Sequence, residues 1–572
     1  MSPENRNLIL AMAVSMAILV LWQSFFIEPQ MQAEQQAQMQ SQQLNLDGTP
    51  QLDQIERNGQ LQLELPERPL EDVPRITISG PLLEGSLTSR GARIDDLLLK
   101  NYRVSLDEES ENVRLFNRVS SQNPYFSEFG WVSQAPDQPM PSAKTVWTLL
   151  DSELTPQKPA RLSWDNGNGL TFLRTIRLND DYLITINDTI TSNLDTSISL
   201  NPYGLVRRTG TPATQGMWIL HEGLLGVFDN TLKEWTYSEL QDDNQAGFNY
   251  DSEEQGGWAG ITDKYWLSAI MPQQSETVKF SMRALPGSED RYQADFLGKA
   301  IIVPARGEVN WSGYLFAGAK KVDLLDKYEE KLGVSQFDLA IDFGWFYFLT
   351  KPFFYAITYF NGLLGNFGLA IIAFTILVRL VLFPLANKSY RSMGKMRELA
   401  PKIQQLRESA GDDRAKMNQE MMALYKKEKV NPAAGCLPIL LQIPVFFALY
   451  KVLYVSIEMR HAPFYGWISD LSAIDPTSLF NLFGLLPYSV DFLPSFLSIG
   501  LWPVLMGITM SLQMRLNPPP PDPIQAKIFQ YMPIFFTFLL ATFPAGLVIY
   551  WTWNNLLSIL QQWWITRNMR SK

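Results

Sequence analysis

Long apolar runs alternate with polar stretches along this chain, and each pattern predicts a different kind of element. At a helical rise of about 1.5 Å per residue, six of the apolar runs approach or reach the thickness of a bilayer core, about 30 Å. We therefore predict six membrane-spanning helices, over residues 8–27, 367–385, 437–455, 496–512, 528–543 and 547–565.

The amino-terminal part of the chain is predicted to be an anchor followed by a tether. Residues 1–27 contain an apolar run that is long for a cleavable signal and has no small-residue cleavage pattern close behind it. We expect this run to stay in the protein as a transmembrane anchor. Residues 28–55 are rich in glutamine and lack an apolar stripe, which predicts a flexible linker.

Residues 56–338 carry the pattern of a soluble β domain. Two segments with alternating apolar and polar residues, LTFLRTIRL and YLITINDTI, flank the turn residues Asn179, Asp180 and Asp181 and predict a hairpin. Many similar short runs, separated by Gly, Pro, Asn and Asp, favour one large β-sandwich over a helical domain.

Two further segments are expected to be helical without crossing the membrane. Residues 339–366 are dense in aromatic side chains and are interrupted by Lys351 and Pro352, which predicts an amphipathic helix that lies at the membrane interface and does not cross it. Residues 386–432 carry apolar positions at helical spacing around a turn at 410–413, which predicts a cytoplasmic helical hairpin. Residues 433–572 would then hold spans three to six, with the carboxyl end in the cytoplasm.

Charge gives the expected orientation. Residues 386–430 contain 11 Lys and Arg against 6 Asp and Glu, whereas residues 456–495 contain 1 against 4. Because basic loops stay in the cytoplasm, the first segment is predicted to lie inside and the second outside. Both termini then lie inside and the acidic β domain lies outside, which in a Gram-negative cell is the periplasm. The expected fold class is an α-helical polytopic membrane protein with six transmembrane helices and a large periplasmic β-sandwich domain.

Composition excludes several kinds of chemistry. The chain has 1 cysteine, Cys436, and 2 histidines, His221 and His461, so no intramolecular disulfide can form. These residues are also too few for a typical zinc site or a cysteine–histidine nucleophile. No cofactor, metal or catalytic residue is predicted, and no direct role with nucleic acid.

One arginine in the predicted spans requires an explanation. Arg379 lies in FTILVRLVLFPL, with no acidic residue near it in sequence, and an arginine at a helix centre costs about 2.5–3.5 kcal/mol on insertion scales. It could snorkel to the headgroups, and single polar residues in spans are usually interhelical hydrogen bonds. However, polar residues recur at similar depth in several spans and favour a water-filled groove open to the cytoplasm, formed by Arg379, Thr375, Gln442, Thr509, Gln513, Asn554 and the adjacent Asn555.

Two segments carry a family resemblance. KVNPAAGCLPILLQIPVFFALYKVL and FPAGLVIYWTWNNLLSILQQ resemble the YidC/Oxa/Alb membrane protein insertases. The resemblance implies a five-span core with a groove arginine, here Arg379, and substrate-contacting aromatic residues, here Tyr550 and Trp551. It also implies a β domain of the galactose-mutarotase-type supersandwich and a location in the bacterial inner membrane.

The same resemblance implies the activity and the partners. Such a protein would insert and fold nascent inner-membrane proteins, alone or with the Sec translocase, without being an enzyme. Ribosomes or the signal recognition particle receptor would meet its cytoplasmic segments, and the bilayer would surround its spans.

The sequence also bears on two other classes of protein. A secondary transporter normally shows repeat symmetry and paired ionisable residues at the midplane, and the sequence shows neither. An anchored periplasmic carbohydrate-active protein would have to rely on His221 beside Glu222, but adjacent residues on a strand point to opposite faces, which favours a structural histidine.

Overall fold

The computed structural model describes residues 73–133, 135, 137–214, 220–242, 248–285, 289–410, 414–428, 437–486, 499–517 and 523–570. The predicted anchor and linker, the hairpin turn at 411–413, Cys436 and a proline run at 518–522 lie outside these residues. The described chain falls into two compact units that meet in sequence after Asp342. We call the first the β unit and the second the helical unit.

The β unit contains twenty strands among its described residues. They are β1 Arg75–Ser79, β2 Leu83–Thr88, β3 Ile94–Arg103, β4 Asn112–Phe116, β5 Tyr125–Ser133, β6 Thr148–Leu149, β7 Glu153–Leu154, β8 Ala160–Asp165, β9 Leu170–Leu178, β10 Leu183–Ser192, β11 Ile198–Thr209, β12 Gly223–Phe228, β13 Thr231–Thr236, β14 Phe248–Asp251, β15 Trp258–Thr262, β16 Trp266–Met271, β17 Val278–Leu285, β18 Arg291–Gly298, β19 Ile301–Val303 and β20 Glu308–Ala319. Two helices accompany them, α1 Tyr237–Asp242 and α2 Val322–Leu332.

These strands form two sheets of almost entirely antiparallel pairs. The 11-stranded sheet runs β14-β17-β18-β11-β5-β3-β2-β1-β7, with β19 paired to β11 and β4 to β3. The 9-stranded sheet runs β13-β12-β15-β16-β20-β10-β9-β8-β6. The expected hairpin is confirmed: β9 and β10 pair antiparallel, with Leu178 opposite Ile184, because the three turn residues separate two strands of matching alternation.

Aromatic side chains pack between the two sheets. The ring of Trp311 on β20 lies 5.7 Å from Trp131, 6.4 Å from Phe129 and 6.3 Å from Phe296, all on strands of the other sheet. Each side chain of this kind stabilises the fold by about 1.5–3 kcal/mol when fully buried. The expected β-sandwich is thus present, while its finer assignment as a supersandwich stays a prediction.

An ion pair is buried within this aromatic layer. The Arg174 guanidinium donates from Nε and Nη2 to the two carboxylate oxygens of Asp188, at 2.8 and 2.7 Å. Its Nη1 donates to the Phe129 carbonyl at 2.7 Å, and the Trp131 indole donates to Asp188 at 2.8 Å. The two charged side chains are 1% and 2% exposed, so each charge is compensated by the other and not by water.

His221 is held in place by hydrogen bonds within the β unit. Its Nε2 lies 3.0 Å from the Leu224 carbonyl, and its backbone N–H donates to Asp342 at 3.1 Å. Burial, helped by the nearby Lys320 charge, lowers the pKa of His221 to about 4. The ring is therefore neutral at pH 7 and donates to a backbone carbonyl.

The helical unit contains eight α-helices among its described residues. They are α3 Tyr347–Leu364, α4 Phe367–Val381, α5 Phe383–Ala410, α6 Arg414–Lys427, α7 Leu437–Val455, α8 Leu501–Leu516, α9 Pro523–Leu540 and α10 Ala545–Arg570. Short 3-10 turns lie at Phe337–Ala340 in the β unit and at Ile457–Met459 and Leu479–Gly484 in the helical unit.

Within the segment expected to be an interfacial helix, α3 runs unbroken through Pro352, because a proline in the second turn removes only one helical hydrogen bond and Phe354 and Ile357 on the same helix are buried. One sequence expectation about a helix boundary is wrong. The span expected over 367–385 ends at Val381, where the chain bends by 69° before α5. Pro384 disfavours helical geometry at the residue before it and is tolerated in the first turn of the next helix.

The length and hydropathy of each helix show whether it could cross a membrane. Among the described residues, no helix taken singly is long and apolar enough to cross a bilayer. The bent pair Phe367–Val381 and Phe383–Leu399 meets the criterion only when its two parts are taken together.

The loop that follows α7 supports the amino ends of two later helices. Asp475 accepts from the Trp502 backbone N–H at 2.9 Å, at the first turn of α8. The N–H groups of Ala545 and Gly546, which open α10, donate to the Ala473 and Leu471 carbonyls at 2.7 and 2.9 Å. These acceptors satisfy N–H groups that have no partner within a helix, and they fix where α10 begins.

Removing one member of the buried ion pair should strongly destabilise the β unit. We expect Asp188→Ala to lower the free energy of unfolding by about 3–5 kcal/mol, because it leaves Arg174 charged and buried. Asp195→Ala is the matched control, since Asp195 pairs with Arg306 where both side chains are at least 76% exposed and such pairs contribute about 0–1 kcal/mol. Urea unfolding of the full chain in detergent, followed by circular dichroism, compares the two; equal losses would contradict the assignment.

The low pKa of His221 makes stability depend on pH. Its folded pKa of about 4 is below the unfolded value of about 6.5, so the unfolded state binds more protons between these values. We expect His221 to contribute a loss of about 2–3 kcal/mol as the pH falls from 7 to 4, with little change above pH 7. Unfolding curves of wild type and His221→Gln over this range provide the measurement, and identical slopes would show that His221 is not responsible.

Candidate functional site

The last helix, α10, is the element around which the predicted groove residues gather. It contacts α4, α5, α7 and α8. Tyr550, Asn554, Ser558 and Gln562 follow one another at four-residue spacing, which places them along one side of the helix. All four are at most 8% exposed, so the stripe faces neighbouring helices.

Arg379 on α4 binds this stripe. Its Nε donates to the Asn554 side-chain oxygen at 2.9 Å, and its Nη2 donates to the same oxygen at 2.7 Å. Nη2 also lies 3.1 Å from the Asn554 backbone carbonyl and 2.5 Å from the Ser558 hydroxyl oxygen. Within the described part of the chain, these are the hydrogen-bond acceptors that Arg379 reaches, and none of them is charged.

Three further polar contacts join α10 to α7 and α8. The Gln442 amide on α7 donates to the Tyr550 hydroxyl. The Asn555 amide donates to the Thr509 hydroxyl on α8 at 3.2 Å, and the Gln562 amide donates to the Leu516 carbonyl at 3.1 Å. Polar residues of α10 therefore form hydrogen bonds with α4, α7 and α8.

Some predicted groove residues do not join this network. Thr375 is buried and donates to the Ile371 carbonyl of its own helix at 2.7 Å, so its hydroxyl is satisfied locally. Gln513 is partly exposed and makes no hydrogen bond to a described residue. Trp551 packs 4.8 Å from Phe446 and 5.8 Å from Phe536, in an apolar cluster on another side of α10.

Sequence reasoning missed Ser558 and Gln562. A serine within an apolar run is unremarkable by itself, since it commonly bonds to its own helix. The signal that could have found both residues is the repeat of polar positions every fourth residue from Tyr550. Counting that repeat would have placed them on the face that already held Asn554.

The helical hairpin of α5 and α6 lies against this site. Ala386, Tyr390 and Met393 form an apolar cluster with Ile565 of α10. Farther along, Leu399 packs on Tyr425, and Lys402 pairs with Glu428 at 2.9 Å, which lowers the pKa of that carboxyl. The hairpin is thus joined by its base to the helix that carries the polar stripe.

The site offers binding without covalent chemistry. The contacts of α10 with α4, α7 and α8 involve one guanidinium, four side-chain amides and three hydroxyls, and no carboxylate, thiol or imidazole appears among these contacts. Such a set can hold polar or anionic groups through hydrogen bonds but supplies no acid–base pair or nucleophile.

Comparison with known proteins covers nearly the whole chain. The family model for the YidC periplasmic domain matches residues 75–356, and the model for the 60Kd inner membrane protein matches residues 359–572. The membrane protein insertase YidC of Rickettsia bellii is 47% identical, with 98% of each chain covered. The same-named protein of Granulibacter bethesdensis is 50% identical, with 88% of each covered.

A solved structure gives a weaker likeness. The crystal structure of an active YidC insertase with its first transmembrane domain resolved matches 86% of this chain and 92% of that chain. The identity is 16% and the TM-score 0.35, which is too low to support a conclusion about the fold. Sequence identity over almost the full length decides the matter: the chain belongs to the YidC family of membrane protein insertases, which are not enzymes.

Proposed function

We propose that this protein inserts and folds nascent inner-membrane proteins, alone or with the Sec translocase, by hosting their hydrophilic flanks beside Arg379. The observation that carries the proposal is the contact of the Arg379 guanidinium with Asn554 and Ser558. Both partners are neutral, so the positive charge is oriented without being neutralised. An arginine paired with a carboxylate would offer much less attraction to a second anion.

The barrier that such a site would lower is the cost of moving polar groups into the bilayer. A polar or charged residue of a nascent chain costs several kcal/mol in hydrocarbon. Opposite unit charges about 4 Å apart attract by about 4 kcal/mol at an effective dielectric constant of about 20. A fixed guanidinium with nearby amides and hydroxyls can therefore offset much of the cost for an acidic flank, while the apolar segment moves sideways into lipid.

The proposed topology is six spans with the β unit in the periplasm. Exposed apolar side chains support contact of the helical unit with lipid, since a soluble surface rarely carries so many. On α9 alone they include Ile528, Phe529, Tyr531, Ile534, Phe535, Phe538 and Leu539. On α3, Phe348 and Tyr359 are 72% and 66% exposed, which supports the interfacial position of residues 339–366.

The partners follow from this orientation. The hairpin of α5 and α6 would face the cytoplasm, where its basic residues could receive nascent chains from a ribosome or from the signal recognition particle receptor. The groove residues in this scheme are Arg379, Gln442, Tyr550 and Asn554, with Thr375, Thr509, Gln513 and Trp551 lining the adjacent helix faces. Ser558 joins this set because it contacts Arg379 directly.

Loss of the groove charge should impair insertion. In cells depleted of the protein, we expect wild type to restore insertion of a small membrane protein with an acidic translocated flank, and Arg379→Ala to restore it poorly. Because an attraction of a few kcal/mol is lost, the defect should be at least about tenfold. Protease protection of the client's translocated end is the measurement.

Arg515→Ala is the matched control, because Arg515 is an exposed arginine in the last turn of α8. It should insert the client as well as wild type does. Normal insertion in depleted cells would refute the function, whereas equal activity of Arg379→Ala and wild type would refute only the role of the charge.

The orientation can be tested with single cysteines in a Cys436→Ser background. Asp195→Cys in the β unit and Tyr465→Cys in the loop after α7 replace exposed residues and should react with a membrane-impermeant maleimide added to the periplasmic side. Ser409→Cys, exposed near the end of α5, should react only after the inner membrane is opened. Labelling of Ser409→Cys in intact spheroplasts would reverse the proposed orientation.

A further inference from the structure

An uncharged segment of the loop between α7 and α8 exposes large apolar side chains. Residues 476–486 contain no Asp, Glu, Lys or Arg. Within them, residues 479–486 form a tight turn, which we call the apolar turn, and its Leu485 is 82% exposed. Other apolar side chains of the turn, at 39–50% exposure, are Leu479, Phe480, Leu482 and Leu486. A contiguous apolar surface of this kind marks a site of contact with a protein or a membrane.

The base of the apolar turn is tied to the amino end of α8. The Leu479 backbone N–H donates to the Ile499 carbonyl at 2.8 Å. The first N–H of α8, that of Leu501, donates to the Thr477 hydroxyl at 2.9 Å. Even a fully extended chain would carry Leu485 at most about 22 Å from Leu479, and the turn folds back on itself well within that reach. The apolar turn therefore stays near the level at which α8 begins.

The backbone N–H groups of the apolar turn are largely satisfied without water. Acceptors for six of its eight N–H groups are the Ile499 carbonyl for Leu479, the Ser478 hydroxyl and carbonyl for Phe480 and Phe483, the Asn481 side-chain and backbone oxygens for Gly484 and Leu486, and the Leu482 carbonyl for Leu485. An N–H without an acceptor is costly to place in hydrocarbon. This pairing within the loop thus removes most of the backbone cost of contact with lipid.

The conformation of the turn also favours an apolar tip over an unstrained one. Leu482 and Phe483 both have left-handed backbone conformations, with φ of 51° and 59°. Bulky residues rarely adopt such angles, because their Cβ approaches the backbone, and glycine or asparagine would occupy these positions at lower cost. The chain therefore gives up some local stability and keeps two large apolar side chains where a water-facing turn would carry small or polar ones.

We propose that the apolar turn inserts into the periplasmic leaflet of the bilayer beside the amino end of α8. Lipid is a better fit than a protein, because a protein interface normally has a polar rim, whereas the acyl chains of a lipid need only apolar contact. The helix to which the turn is tied also exposes apolar side chains, including Ile508 and Leu512. The inference goes beyond the proposed function and takes from it only the membrane position of the helical unit.

Insertion of the apolar turn would have a consequence for α10. The loop that contains the turn also provides the Leu471 and Ala473 carbonyls, which accept from the first N–H groups of α10. Asp475, which lies between these carbonyls and the turn, accepts from the Trp502 N–H at the start of α8. An inserted turn therefore fixes the height of this loop, and with it the height of α8 and α10, relative to the bilayer.

The test places an environment-sensitive fluorophore at the turn of the purified full-length protein in liposomes. Leu485→Cys in a Cys436→Ser background is labelled with an NBD probe, and the lipids carry bromine either near the headgroup end or deep in the acyl chains. We expect a blue-shifted emission and at least about twofold quenching by bromine near the headgroups, with weaker quenching by deep bromine, since interfacial segments lie about 5–10 Å below the surface. Leu482→Cys is a second site and should give the same result.

Two matched labelling sites calibrate the measurement. Asp195→Cys in the β unit replaces an exposed charged residue and should be quenched by neither lipid. Ile534→Cys on α9 replaces a 56% exposed apolar residue and should be quenched by the deep bromine. A charge at the tip provides a further control: with the probe at Leu482→Cys, a second change of Leu485→Asp should abolish quenching, because a carboxylate is costly in lipid, whereas Leu485→Ala should preserve it.

The outcomes separate lipid from other neighbours of the turn. A Leu485→Cys probe that behaves like the Asp195→Cys probe, while the Ile534→Cys probe is quenched, would overturn the inference and leave the proposed function intact. Quenching that declines as the protein-to-lipid ratio rises would show that a second copy covers the turn, which also overturns it. Loss of quenching at Ile534→Cys as well would instead refute the membrane position of the helical unit, on which the proposed function depends.

Discussion

A guanidinium that is removed from water needs hydrogen-bond acceptors from the protein. Each unit of this chain contains an arginine whose guanidinium is supplied with them. In the β unit, Arg174 is matched by the carboxylate of Asp188 and by a backbone carbonyl. In the helical unit, Arg379 is matched by an amide and a hydroxyl. The first arrangement cancels the charge and is suited to holding two sheets together. The second arrangement leaves the positive charge uncompensated, so the charge can still attract an anionic group.

The position of α10 follows from the same requirement. Asn554 and Ser558 can reach Arg379 only if α10 has the right rotation and height beside α4. Its height is fixed at the amino end, where the carbonyls of Leu471 and Ala473 accept from its first N–H groups. Its rotation is fixed by contacts on several sides, with Gln442 of α7 bonded to Tyr550 and Thr509 of α8 bonded to Asn555.

Much of this arrangement is visible in the sequence, and the gaps have physical causes. Alternating apolar and polar residues in β9 and β10 predict that these strands pair, and the apolar run at residues 437–455 predicts the bounds of α7. Both predictions succeed because the sequence pattern within each element records which of its residues are buried. The unbroken span expected over residues 367–385 is wrong, because Pro384 outweighs the local apolar pattern and the chain bends after Val381. Polar residues in the spans predict the composition of the site, but their partners depend on helix rotation. Sequence alone therefore could not show that Thr375 bonds to its own helix while Ser558 bonds to Arg379.

The partners of Arg379 lie 175 and 179 positions later in the chain. At a synthesis rate of about 5–20 residues per second, the ribosome completes Asn554 about 10–35 s after Arg379. During that interval α4 holds a guanidinium whose acceptors on α10 do not yet exist. Until α10 is made, hydrogen bonds from water have to take the place of those that Asn554 and Ser558 later accept.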